Sequence, residues 1–169
     1  EISKIESGNR TPDPTTFETS TLLLAISKEL QPECPAQVSL ELNLPELAQT
    51  TLVNTDKGMV RIMVQHLLRN AFKFTRKGHI ELGCRTDEKH NELFVYVKDS
   101  GIGIASEHLD ELFEPFHQLN PMINGTGIGL TICKGLAQIV GTNIFVESEL
   151  GRGSKFGFVL KRTAPNTEA

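Results

Sequence analysis

Residues 79–104, HIELGCRTDEKHNELFVYVKDSGIGI, decide how this chain folds. The runs 79–86 and 92–98 read as two strands, and the polar stretch Asp87-Glu88-Lys89-His90-Asn91 between them suits a hairpin turn. A hairpin makes its strands antiparallel neighbours, whereas a doubly wound parallel sheet needs a helix between successive strands. Immediately after the second strand comes Asp99-Ser100-Gly101-Ile102-Gly103-Ile104, a carboxylate followed by a glycine-rich turn.

Upstream of the hairpin, residues 56–74 carry the strongest helical pattern in the chain. Val60, Val64, Leu67, Leu68 and Ala71 follow the 3.6-residue period, and Thr55 or Asp56 is placed to cap the first amides. Before it, VSLEL at 38–42 alternates with period two, and 51–54 reads as a further strand. Residues 18–31 form a helix with Leu22, Leu23, Ile26 and Leu30 inward, closed by Pro32. In the first sixteen residues, Ile2 and Ile5 sit at helical spacing before Gly8, Pro12 and Pro14 stop the pattern. Such a short helical end belongs to something larger.

Downstream, residues 107–113 read as a short helix and residues 114–126 as a loop without period. A glycine-opened helix runs over 127–140, then strands at 143–149 and 154–160 flank the turn Gly151-Arg152-Gly153. The last residues, 161–169, form a polar tail expected to be disordered. Two hairpins with helices between them predict a two-layer α/β (α+β) sandwich, a mixed and mostly antiparallel sheet with helices on one face.

Composition narrows the class only slightly. The chain has 169 residues, enough for one ordinary core, and a formal net charge of −4 that offers no footprint for nucleic acid and no polybasic membrane patch. Cys34, Cys84 and Cys133 lie far apart without C-x-x-C spacing, so the expectation is buried reduced thiols in a cytoplasmic setting rather than zinc ligands or disulfides. No apolar run reaches the roughly 18 residues a membrane-spanning helix requires, and no signal-peptide pattern is present.

Four elements carry candidate chemistry. His66, Asn70 and Lys73 share one face of the 56–74 helix, where an amide oxygen suits a hard cation and an ammonium suits phosphate; a plain solvated face explains them equally well. Asp99, with Gly101 and Gly103, gives a strand-end acceptor and close backbone approach. It could accept from the exocyclic amine of adenine and reject guanine, which presents an acceptor there; the alternative is a simple Asx turn. Gly125-Thr126-Gly127-Ile128-Gly129-Leu130 leaves backbone amides bare at a helix start, suited to phosphate oxygens, with a hinge as the alternative. Its spacing matches neither G-x-x-x-x-G-K-[ST] nor the dinucleotide G-x-G-x-x-G. Gly151-Arg152-Gly153-Ser154-Lys155-Phe156 is by itself explained as a hairpin turn.

In this order the elements resemble the Bergerat-fold ATP-binding family, and within it the catalytic domain of sensor histidine kinases. HLLRNAFKFT resembles the N box, DSGIGI the G1 box, FEPF (113–116) the F box, GTGIGL the G2 box and GRGSKF the G3 box. The opening EISKIESG is similar to the end of the second helix of a preceding dimerisation domain, which divides the chain into 1–16 (helix end and linker), 17–161 (ATP-binding catalytic domain) and 162–169 (tail).

The resemblance implies transfer of the ATP γ-phosphoryl group to a histidine. Asn70 would bind Mg²⁺, Lys73 would reach the phosphates, and Asp99 would hold the adenine amine in a pocket shaped by Gly101 and Gly103. Phe113 and Phe116 would bound the ATP lid at 114–126, Phe116, Gly125 and Thr126 would join the nucleotide-binding set from the lid, and the backbone of Gly127, Ile128, Gly129 and Leu130 would face the triphosphate. The implied partners are an upstream dimerisation and phosphoacceptor domain and a response regulator receiver domain. The domain would lie on the cytoplasmic side, with neither nucleic acid nor membrane contacted by this chain itself.

Two departures bear on mechanism. His66 stands where the family has a second Asn or, in ATP-hydrolysing relatives, a Glu that activates water; lack of that Glu argues against a dedicated ATPase. From Phe113 to Cys133 there is no Lys or Arg, so charge neutralisation falls to Mg²⁺, Lys73, the helix amides or groups from another domain. None of His66, His79, His90, His108 and His117 begins a phosphoacceptor motif, so the accepting histidine is expected on a separate domain. Two rival functions stay open: a degenerate nucleotide-binding module with a regulatory role, and a serine kinase of the anti-sigma type.

Overall fold

Residues 11–111 and 128–163 are described by a computed structural model of the chain. Among the described residues, seven strands run in chain order: β1 (Thr15–Glu18), β2 (Val38–Asn43), β3 (Leu52–Thr55), β4 (Gly78–Asp87), β5 (Glu92–Asp99), β6 (Phe145–Glu149) and β7 (Gly153–Lys161). Four helices accompany them: α1 (Thr19–Leu30), α2 (Glu46–Gln49), α3 (Lys57–Phe74) and α4 (Ile128–Val140), with 3₁₀ turns at Gln31–Glu33 and Ser106–Glu111. Five strands form the main sheet in the order β2-β4-β5-β7-β6, and β1 pairs with β3 in a small second sheet. Every pairing is antiparallel except β2 with β4. The mixed, mostly antiparallel two-layer sandwich expected from sequence is therefore what forms.

Helix α3 is the pillar of the helical layer. Asp56 caps it, one carboxylate oxygen accepting from the Met59 N–H at 3.0 Å, while the other oxygen accepts from the Asp13 N–H at 2.8 Å. One side chain thus starts the helix and ties down the incoming chain. Met59, Val60, Met63, Val64, Leu67, Leu68 and Ala71 are all buried, which is the apolar stripe read from periodicity. Each of the Met, Val and Leu side chains contributes up to about 1.5–3 kcal/mol of burial, and the Ala71 methyl about 0.8 kcal/mol at most. Against this stripe lies α1, with Leu22, Leu23, Ile26 and Leu30 buried. Arg61 and Gln65 reach Glu29, and Arg69 forms a two-pronged pair with Glu33 at 3.0 Å on each arm, so polar contacts rim the α1–α3 contact.

The sheet's inner face is built in rungs. Cys84, Val95 and Phe158 are cross-strand partners on β4, β5 and β7, and the next rung continues Leu82, Val97, Phe156 and Val146 onto β6. Beyond it the last rung turns polar: Ile80, Asp99, Ser154 and Ser148. The core layer ends where the candidate site begins.

Local differences from the sequence reading have clear causes. Pro32 does not simply close α1; it occupies an early position of the following 3₁₀ turn, where its missing N–H costs nothing. The short helix expected over 107–113 is a 3₁₀ turn in its described part. Strand β1 and the single-turn helix α2 were not expected at all. The expected helical end at Ile2 and Ile5, the lid at 114–126 and the end of the tail lie outside the described residues.

Candidate functional site

The polar rung at the sheet end places Asp99 on β5 against β7, almost fully enclosed at 6% exposure. Its Oδ1 accepts two backbone N–H groups, from Gly101 at 2.9 Å and Ser154 at 3.2 Å. Both bonds fall on the same oxygen, which leaves Oδ2 to meet a donor from outside. Burial pushes the carboxyl above the ordinary Asp range, and the amides of Gly101 and Ser154 pull against that rise. An enclosed carboxylate held this way is a costly structural choice and a good reader of a single donor.

Two glycines make the turn's close approaches. Gly103 adopts φ +71, and a Cβ there would sit 2.1 Å from the carbonyl oxygen of Glu149. Gly153 adopts φ +106, and its Cβ would lie 2.0 Å from the carbonyl oxygen of Asp99. The 99–104 turn and the 149–154 hairpin therefore press backbone to backbone, pinned by the Gly151 N–H donating to the Ile102 carbonyl at 2.8 Å. The GRGSKF hairpin, self-explanatory as a turn in the sequence, is one wall of the site.

The same turn is bound to the end of α3. The Ile102 N–H donates to the Phe74 carbonyl at 3.2 Å, and a Cβ on Gly101 would meet that carbonyl at 2.2 Å. Asn70 and Lys73 lie within the last turns of α3, Asn70 half-buried and Lys73 exposed. The structure thus joins the Asp99 turn to the C-terminal end of the helix that carries both of them. His66 is half-buried on the same helix.

Ile128, Gly129 and Leu130 open α4, and Leu130 is buried. Helix α4 packs on α3, with the Cys133 thiol directed at the Met63 carbonyl at 3.5 Å. Phe113, Phe116, Gly125, Thr126 and Gly127 lie outside the described residues. Two residues escaped the sequence reading. Thr75 Oγ1 is fully buried with no hydrogen-bond partner among the described residues and abuts Gly101, and Ser148 joins the polar rung on β6. Neither stands out in sequence, where a threonine after a helix and a serine in a strand are ordinary.

Cys84 and Cys133 are buried and Cys34 is half-buried, all three as free thiols. Burial raises the Cys84 thiol to about 11 and pushes Cys133 further still. Among the described residues no helix is long and apolar enough to cross a membrane.

The family model described as histidine kinase-, DNA gyrase B- and HSP90-like ATPase matches residues 55–164. Among curated proteins, the aerobic respiration control sensor protein ArcB of Escherichia coli is 36% identical over 162 residues, covering 92% of this chain and 20% of that protein. The hybrid signal transduction histidine kinase B of Dictyostelium discoideum is 37% identical over 123 residues, covering 69% of this chain and 6% of that protein. The chain therefore spans a small part of the relatives it matches. Among solved structures, full-length ShkA in complex with AMPPNP superposes with TM-score 0.84 at 22% identity, over 97% of this chain and 34% of that one. The catalytic domain of histidine kinase ThkA gives TM-score 0.77 at 22% identity, over 89% of this chain and 97% of that one. At these identities the superpositions speak for the fold.

Proposed function

The chain belongs to the histidine kinase-, DNA gyrase B- and HSP90-like ATPase family, and from that premise we propose that it is the ATP-binding catalytic domain of a two-component sensor histidine kinase. Residues 17–161 form that domain, 1–16 end a preceding dimerisation helix and its linker, and 162–169 are a tail. It works on the cytoplasmic side with an upstream phosphoacceptor domain and a response regulator receiver domain as partners. The observation that carries the reading is the enclosed Asp99 carboxylate, one oxygen saturated by backbone and the other free, tied through Ile102 and Phe74 to the helix of Asn70 and Lys73.

Asp99 Oδ2 accepts the exocyclic amine of adenine, and Gly101 and Gly103 let backbone close on the base. The described residues fit a nucleotide with its metal: a carboxylate oxygen with no partner among the described residues and the orphan Thr75 hydroxyl at the base end, an amide oxygen and an ammonium one helix end away. Asn70 would hold Mg²⁺ through its side-chain oxygen, and the ion would supply charge neutralisation on the phosphates. Lys73 adds a positive charge beside them. The amides of Gly127, Ile128, Gly129 and Leu130 face the triphosphate, while Phe116, Gly125 and Thr126 belong to the lid.

The reaction needs little covalent work from the domain. A neutral imidazole nitrogen of the partner attacks the γ-phosphorus in line. A P–N bond forms as the bond to the β–γ bridging oxygen breaks, ADP leaves with that electron pair, and the imidazole loses its N–H proton to solvent. Positioning and electrostatics supply the acceleration. His66 in place of a glutamate favours this over water activation.

The test supplies the upstream helical hairpin in trans, or the full-length protein, with radiolabelled Mg-ATP. Acid-labile phosphohistidine is expected, and it disappears in Asn70→Asp. Absence of transfer in every arrangement overturns the reading. The lack of Lys and Arg in the lid favours one second reading, a nucleotide-binding regulatory module, which predicts silence in calorimetry at millimolar Mg-ATP.

A further inference from the structure

Ser148 sits on β6 opposite Ser154, which in turn sits opposite Asp99, so three polar residues line up across three adjacent strands. A serine hydroxyl has one proton and two acceptor sites, and all three are used. The Ile104 N–H donates to Ser148 Oγ at 2.7 Å, Ser148 Oγ–H donates to the Gly153 carbonyl at 2.9 Å, and the Ser154 hydroxyl lies 2.8 Å away. With its own proton committed to Gly153, Ser148 is the acceptor in the bond with Ser154.

Each of those partners belongs to the wall around Asp99. Ile104 ends the turn that Asp99 begins, Gly153 lies against the Asp99 carbonyl, and the Ser154 amide holds Asp99 Oδ1 at 3.2 Å. We propose that Ser148 is a positioning residue for base recognition: its saturated hydroxyl locks the 149–154 hairpin onto the 99–104 turn and so aims Asp99 Oδ2 at the exocyclic amine of a purine. This rests on the reading of Asp99 as the base-reading group and extends it to a residue two strands away. Ser148 is assigned no contact of its own with the nucleotide. Its contribution is fixed geometry, which a hydroxyl with no spare valence supplies better than a rotatable one.

The experiment measures binding of Mg-ATP and of Mg-purine riboside triphosphate, which lacks the 6-amino group, to the intact chain by calorimetry. Wild type is expected to prefer ATP. Ser148→Ala leaves the Ile104 amide, the Gly153 carbonyl and the Ser154 hydroxyl without their shared partner. It is expected to weaken ATP roughly tenfold, the scale of one compromised hydrogen bond, while binding of the deaminated analogue stays within about twofold. Ser148→Thr keeps the hydroxyl and restores the preference. The acid limb of ATP binding moves to higher pH in Ser148→Ala, because a loosened Ser154 amide no longer favours the Asp99 anion.

A purely structural serine would lower both affinities alike, and that result overturns the proposal, as does an unchanged preference. Should Ser148→Ala not fold, Ser154→Ala cuts only the hydroxyl link and is expected to shift the preference in the same direction by a smaller factor; no shift there overturns the proposal too. A wild type that does not distinguish the two nucleotides refutes the assignment of Asp99 instead.

Discussion

Replacing Asp99 by Asn is a near-isosteric change whose consequence follows from which oxygen is occupied. Oδ1 accepts the Gly101 and Ser154 amides, and an asparagine retains that acceptor by placing its own carbonyl there. The amide nitrogen then falls at the Oδ2 position and points a donor at the adenine amine, which is also a donor. One hydrogen bond to a charged acceptor is lost, worth about 1.5–3 kcal/mol, or roughly 12- to 140-fold in Kd. The same nitrogen can donate to the 6-oxygen of inosine, so discrimination against ITP shrinks at the same time. Titration of the intact chain with Mg-ATP and Mg-ITP by calorimetry reads both effects. If Asp99→Asn binds ATP as tightly as wild type, with ITP still excluded, Asp99 does not read the base.

Further outcomes can be checked on the same preparation. Because burial raises the Asp99 pKa, its contribution to stability is present at low pH and lost as pH rises through the raised folded value; Asp99→Asn therefore melts above wild type at pH 7, and the gap closes as pH falls, read by thermal scans across pH. ATP affinity of wild type falls as pH drops through that same value, while Asp99→Asn shows no such limb. Leu67→Ala, at a position 1% exposed, costs about 2–5 kcal/mol in denaturant unfolding. Arg69→Gln, in an ion pair whose side chains are 46% and 47% exposed, costs no more than about 1 kcal/mol. Iodoacetamide at pH 8 labels Cys34 first by mass spectrometry, because Cys84 and Cys133 are buried and Cys84 is raised to about 11.

The fold was legible where local physics decides it. The 3.6-residue stripe of α3 and its Asp56 cap, the 87–92 hairpin and the inward leucines of α1 are all written in short windows of sequence. What escaped depends on distant partners. Thr15–Glu18 is only a strand because Leu52–Thr55 pairs with it, and nothing in four residues after Pro14 announces that. The parallel pairing of β2 with β4 is likewise set by the two helices and the strand placed between them, not by the pattern of VSLEL. At the site, Asp99 and the two glycines of its turn carried a recognisable chemical signature. Ser148 and Thr75 did not, because a hydroxyl's role is set by what surrounds it after folding.

The central claim is convergence: the Asp99 carboxylate and the Asn70 and Lys73 side chains serve a single nucleotide. A crystal structure of the chain with Mg²⁺ and a non-hydrolysable ATP analogue tests it most directly. The adenine amine is expected within hydrogen-bond distance of Asp99 Oδ2 and the metal about 2.1 Å from the Asn70 side-chain oxygen. Nucleotide bound away from Asp99, or a metal held without Asn70, would contradict it.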